Sequence, residues 1–158
     1  MSSEAFGIRE ISDISPSNVC DTAKAAIGGT TVWKGDSYTY VFNGGNSEIP
    51  PGFGVIITAT SGYTVTVSSL SGITPCFGVV RHATISTGDY GFVQTNGFCP
   101  LEADADTALS AGDNVVLGDD GVHTRKTAAG NYLANAHGYM QDTAASGASA
   151  IAFINCFS

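Results

Sequence analysis

Strand-length segments rich in β-branched and aromatic residues recur along most of this chain, and apolar and polar positions can alternate within them with a period of two. The clearest case is Tyr63-Thr64-Val65-Thr66-Val67-Ser68, with Tyr63, Val65 and Val67 on one face and the hydroxyl residues on the other. Such alternation marks a half-buried antiparallel strand. Further strand-length segments run over Thr31–Lys34, Tyr38–Phe42, Val55–Thr60, Phe77–Ala83, Tyr90–Gln94, Asn114–Leu117, Val122–Lys126, Ala136–Gln141 and Ala150–Asn155. Between them lie turn signals: Gly35-Asp36-Ser37, Asn43-Gly44-Gly45-Asn46, Pro50-Pro51-Gly52, Ser61-Gly62, Thr87-Gly88-Asp89, Asn96-Gly97, Ala111-Gly112-Asp113, Asp119-Asp120-Gly121 and Ser146-Gly147. Short strands at close spacing with Gly turns predict an all-β fold, a small antiparallel β-barrel or sandwich. No repeat of fixed period is visible.

The first 29 residues break the pattern. Phe6, Ile8, Ile11 and Ile14 are irregularly spaced, and Val19–Ile27 has the composition of a short helix, ended by Gly28-Gly29. This predicts an N-terminal arm over 1–29 with at most one short helix, docking on a neighbouring subunit. The β domain then covers 30–158, with a first hairpin set at 30–71 and a core at 72–158.

Composition reinforces the strand reading. Ile and Val outnumber Leu more than fourfold, and branching at Cβ favours the pleated surface. Charge narrows the partners. The chain carries a net charge of −8 with only 13% charged residues. A lightly charged, acidic chain cannot neutralise phosphates, which argues against nucleic acid and against an anionic membrane. A surface of Ser, Thr, Asn and Gly suits either burial against other subunits or a hydroxyl-rich secreted protein. No segment reaches the ~18 apolar residues of a membrane span, and the stretch from Met1 to Asn18 lacks a signal-peptide core. Synthesis in a reducing cytoplasm is the expectation, so Cys20, Cys76, Cys99 and Cys156 read as buried free thiols.

Candidate chemistry is thin. His82, His123 and His137 each fall in a predicted strand with no carboxylate or cysteine at ligand spacing, and no nucleophile-elbow or zinc motif is present. The expectation is no enzyme, no catalytic or metal-binding residue and no cofactor. Glu102-Ala103-Asp104-Ala105-Asp106 is the main acidic cluster and Arg125-Lys126 the one basic doublet. A contact between these two regions across subunits would join them. Trp33, Tyr38, Tyr40, Phe42, Phe53, Tyr90 and Phe92 read first as core, and alternatively as a carbohydrate-stacking surface.

Residues 78–155 resemble tailed-phage capsid decoration (cement) proteins. Such head proteins carry phrases of the type Gly-Val-Ala, Gly-Glu-Tyr-Gly-Trp-Val-Gln, Ala-Gly-Asp-x-Val and a late Ile-Gly-x-Ala/Met before a closing strand. The matching pieces here are Gly78–Ala83, Gly88–Gln94, Ala111–Val115, His137–Met140 and Ala150–Ile154. The resemblance implies a non-enzymatic virion protein, made in the host cytoplasm, on the outer capsid surface. It also implies that the protein bridges and stabilises major capsid protein subunits, often as a homotrimer. On this reading the contact residues are Phe6, Ile8, Arg9 and Ile11 in the arm, with Asp104, Asp106, Arg125 and Lys126. The alternatives are a carbohydrate- or receptor-binding fibre or spike module, and a hydrolase with dispersed catalytic residues.

Overall fold

A computed structural model describes residues 11, 14–58, 63–67, 75–125 and 135–156. Ten strands form within them: β1 (Thr30–Trp33), β2 (Asp36–Asn43), β3 (Gly54–Ile57), β4 (Thr64–Thr66), β5 (Gly78–Val80), β6 (Tyr90–Glu102), β7 (Asn114–Leu117), β8 (His123–Arg125), β9 (Gly138–Met140) and β10 (Ser149–Asn155). The fold is all-β, as the alternation predicts.

The pairing order is β1-β2-β4-β3-β5-β6-β10-β9-β7-β8, and β2 also pairs with β6. That extra pairing closes a first ring, β2-β4-β3-β5-β6, in which all pairs are antiparallel except β2 with β4. A second ring runs β6-β10-β9-β7-β8 and returns to the end of β6 through a parallel bridge between Ala103 and His123. The two rings share β6.

One local device builds both rings. Ile49, Ile85, Leu109 and Ala144 are buried bridge residues, and they pair as Ile49 with Ile85 and Leu109 with Ala144. Each is followed three residues later by a glycine at positive φ: Gly52, Gly88, Gly112 or Gly147. A backbone hydrogen bond closes each turn, Phe53 to Pro50, Asp89 to Ser86, Asp113 to Ser110 and Ala148 to Ala145, at 3.0 to 3.3 Å. A strand then starts two residues after each glycine, at Gly54, Tyr90, Asn114 and Ser149. Positive φ at the third turn position is the requirement of a type II turn, which explains the glycine.

Burial along β6 changes at its midpoint. Residues 91–95 are buried without interruption, whereas 97–101 alternate. The outer face of the first half, with Tyr38, Tyr40 and Phe92, is covered by Ile14 and Ala25 and flanked by Ile11. Residues 14–29 therefore pack on their own domain. The helix expected at Val19–Ile27 is absent. Cys20 instead bridges Tyr90 through hydrogen bonds of 2.9 and 2.7 Å, and Gly28 and Gly29 bond to Tyr40. A nine-residue helix is marginal alone, and sheet pairing satisfies the same backbone groups.

The turn expected at Asn96-Gly97 is also absent, because β6 runs straight through it. The pairing with β2 slips by one residue between Ser37 and Tyr38, which is a bulge. Gly97 sits there at φ 111°, where a Cβ would lie 2.0 Å from the Asp36 carboxylate. The rings are fastened by Gly52, whose carbonyl accepts the Glu102 N–H at 3.0 Å and His123 Nε2–H at 3.2 Å.

Candidate contact surface

The outer face of the second ring is bare and aromatic. Tyr139, Phe153 and Phe98 stand opposite one another across β9, β10 and β6. Their rings touch, with centroids 5.7 Å apart for Tyr139–Phe153 and 5.4 Å for Phe98–Phe153. Ile151 continues the strip opposite Pro100. Phe98 is 50% exposed, Tyr139 43% and Ile151 38%. The alternate residues Cys99, Leu101, Met140, Ala152 and Ile154 fill the core beneath. Neighbouring aromatics at this spacing support one another, and a contiguous apolar strip on a sheet face marks an interaction surface.

Its position is held from the junction of the rings. Asp36 and Arg81 form an ion pair there, and the same Arg81 Nη1 donates to Tyr38 Oη at 3.2 Å and Gln94 Oε1 at 3.0 Å. Gln94 Nε2 in turn donates to the carbonyls of Asn96 (3.1 Å) and Phe98 (3.0 Å), spanning the bulge. This network fixes where β6 leaves the first ring and therefore where Phe98 points. His82 closes it from outside, 3.1 Å from Tyr38 Oη and edge-on to Trp33. Burial, and then the Arg81 charge, hold the His82 pKa below its usual value.

Of the residues expected to make contacts, Phe6, Ile8, Arg9 and Lys126 lie outside the described residues. Ile11 packs beside the buried Tyr38–Tyr40–Phe92 cluster. Asp104 shapes a turn: its carboxylate accepts the Asp106 N–H at 2.8 Å, and its own N–H donates to the His123 carbonyl. Asp106 and Arg125 line one cleft of about 400 Å³ with Thr107, Ala108, Ser110 and Thr124. The acidic cluster and the basic side chain thus face the same space within one chain. No ion pair joins them among the described residues.

Spatial proximity also assembles a group that spacing could not reveal. His123, fully buried, faces His137 at 3.1 Å. Burial, and then the His137 charge, hold the His123 pKa well below the usual histidine range. Cys76 lies beside His137, donates its thiol hydrogen to the Gly78 carbonyl at 3.3 Å, and shares a cavity lining with Cys156. Among the described residues, no cluster of three His, Cys, Asp or Glu side chains has a metal-binding arrangement. The thiols of Cys20, Cys76, Cys99 and Cys156 are free, and burial pushes the Cys99 thiol up to about 12.

Comparison with known proteins gives the arrangement a family. No curated protein matches the chain. Among solved structures, the head fiber gp8.5 N base of bacteriophage phi29 matches with a TM-score of 0.55 and 15% identity, covering 75% of this chain and 92% of that one. At that identity the likeness is one of fold. A family model for phage cement proteins matches residues 49–154, which runs from the turn before β3 into β10 and leaves out β1 and β2. The chain belongs to the phage cement protein family and is a capsid-associated structural protein of the virion.

Proposed function

We propose that the protein binds the outer surface of a phage capsid and bridges major capsid protein subunits, with the Tyr139–Phe153–Phe98 strip as its contact. The observation that carries this reading is the contiguous row of exposed apolar side chains along the β6–β10–β9 face. Many copies placed by capsid symmetry gain strength through multivalency, so each contact can be modest. A homotrimer would multiply the attachment points per particle. Synthesis in the host cytoplasm fits the free thiols.

The strip favours a protein partner over a sugar. Phe98 stands at 76° to Phe153, giving a ridged surface that suits interdigitating side chains rather than a flat pyranose face. The test is size-exclusion of the purified chain with empty shells built from the matching major capsid protein. Saturable co-elution at a fixed ratio is expected. Passage without binding, with retention on a glycan column, would overturn the reading in favour of a carbohydrate-binding module.

A further inference from the structure

Cys76 and Cys156 lie 80 positions apart in the chain, yet their side chains line the same cavity, where the Cys76 thiol also donates to the Gly78 carbonyl at 3.3 Å. Together with Ile57, Pro75 and Phe77 they line a cavity of about 270 Å³ that opens to the surface. Cys76 is buried and Cys156 half-buried. Cys156 follows β10 in a turn, anchored by its N–H to the Thr95 carbonyl at 3.0 Å. Its side chain can therefore move without disturbing the pairing of β10 with β6.

A second observation points into the same place. The Gly52 carbonyl can only accept, so His123 Nε2 carries the proton of that bond. Neutral His123 then presents Nδ1 as an acceptor, and His137 Nε2–H is the donor to it at 3.1 Å. In the neutral ring of His137, Nδ1 is then the acceptor. That atom is buried without a hydrogen bond in a residue only 3% exposed, and the ring adjoins Cys76 closely enough to favour its thiolate. An unpartnered buried acceptor beside a thiol is a proton acceptor in waiting. Burial works against the Cys76 thiolate, but the neighbouring Cys156 thiol and His137 outweigh it and bring the pKa well below the usual value. Cys156 moves the opposite way, through the neighbouring Cys76 and then burial.

We propose that Cys76 and Cys156 are an oxidisable pair that closes a covalent clasp between the entry to β5 and the end of β10, with hydrogen peroxide or a small-molecule disulfide as the oxidant. With peroxide, Cys76 gives its proton to His137 Nδ1, and the thiolate attacks one peroxide oxygen. The O–O bond breaks, the proton returns to the departing hydroxide, and water and a sulfenic acid result. Cys156 sulfur then attacks the Cys76 sulfur. The S–S bond forms, the S–O bond breaks, and the Cys156 proton leaves with the hydroxide as a second water. Two thiols lose two electrons and two protons, and one peroxide is reduced to two waters. The clasp encloses the whole second ring, the kind of long loop whose closure constrains the unfolded chain most. A reducing cytoplasm keeps the pair open and release from the cell lets it close; that timing rests on the capsid reading, whereas the chemistry does not.

The test uses the full chain, oxidised with peroxide or oxidised glutathione and alkylated under denaturing conditions. Two of the four thiols should escape labelling, with a peptide cross-link joining Cys76 and Cys156. Reduction should restore all four. The melting temperature should rise by about 10 °C on oxidation. Cys156→Ser should abolish both effects and leave a sulfenic acid on Cys76 that a dimedone probe traps. His137→Gln should slow closure about tenfold while leaving the reduced protein's melting cooperative. Four labelled thiols after oxidation, or a cross-link through Cys20 or Cys99, would overturn the proposal. Shell binding by reduced protein is read separately, so a failed clasp and failed attachment are distinguishable.

Discussion

The two rings share a strand and a turn design, yet they treat their outer faces in opposite ways. On the first ring, Tyr40 and Phe92 pack 4.9 Å apart, and Ile14 and Ala25 close over them. On the second, Phe98 and Phe153 pack 5.4 Å apart and remain open to solvent. Phe92 and Phe98 lie on either side of the bulge in β6, each next to a residue that fills the core of its own ring, Val93 and Cys99. One strand therefore carries a covered and an uncovered aromatic surface. The difference teaches that such a face on this scaffold is built to be covered. The chain's own residues 14–29 cover one, and a partner is proposed for the other.

Removing the cover should break the comparison most severely. Deleting residues 1–29 uncovers Tyr38, Tyr40 and Phe92, and should lower unfolding free energy by about 3 kcal/mol or more. A denaturant melt checks the loss, and new binding of an apolar dye checks the exposure. Next comes the junction. Gly97→Ala forces a left-handed backbone on a residue that disfavours it and drives a Cβ into Asp36. A loss of about 2–3 kcal/mol is expected, together with weaker attachment, because Phe98 is no longer held by Gln94.

Acid should sharpen the contrast, since the second ring holds the buried imidazole pair. The His123 pKa is depressed by burial in the folded chain, whereas the unfolded chain takes up a proton near pH 6.5. Stability is therefore fully present above about pH 6.5 and falls below it, by up to about 1.4 kcal/mol per pH unit. The His82 pKa is also lowered, by burial and then Arg81, and adds a loss of the same sign. His123→Gln should flatten the slope of stability between pH 6.5 and 5 in urea titrations. The smallest effect belongs to the exposed cleft. Asp106→Lys should change stability by less than about 0.5 kcal/mol. If the cleft touches a neighbouring subunit, shell occupancy at low salt falls; unchanged occupancy removes Asp106 from the contact surface.

All ten strands were legible in the sequence, because each carries β-branched or aromatic residues between turn formers. What failed was decided at long range. Asn96-Gly97 has the chemistry of a tight hairpin, but the Gln94 side chain spans the irregularity and β10 takes over the pairing. Stopping the strand at Gln94 also hid Phe98. Ile151 and Phe153 alternate with Ala152 and Ile154, so both faces of β10 look apolar and the pattern alone cannot say which is outside. Val19–Ile27 has helical composition, yet Cys20 finds Tyr90 some 70 positions away. The Cys76–Cys156–His137–His123 group left no local signal, since its members come from four separate segments.

An electron cryo-microscopy reconstruction of shells saturated with this protein tests the central claim most directly. The account predicts that the β6–β10–β9 face lies against the major capsid protein, with Tyr139, Phe153 and Phe98 buried in that contact. A reconstruction in which those three rings point into open solvent, and another face makes the attachment, would contradict it.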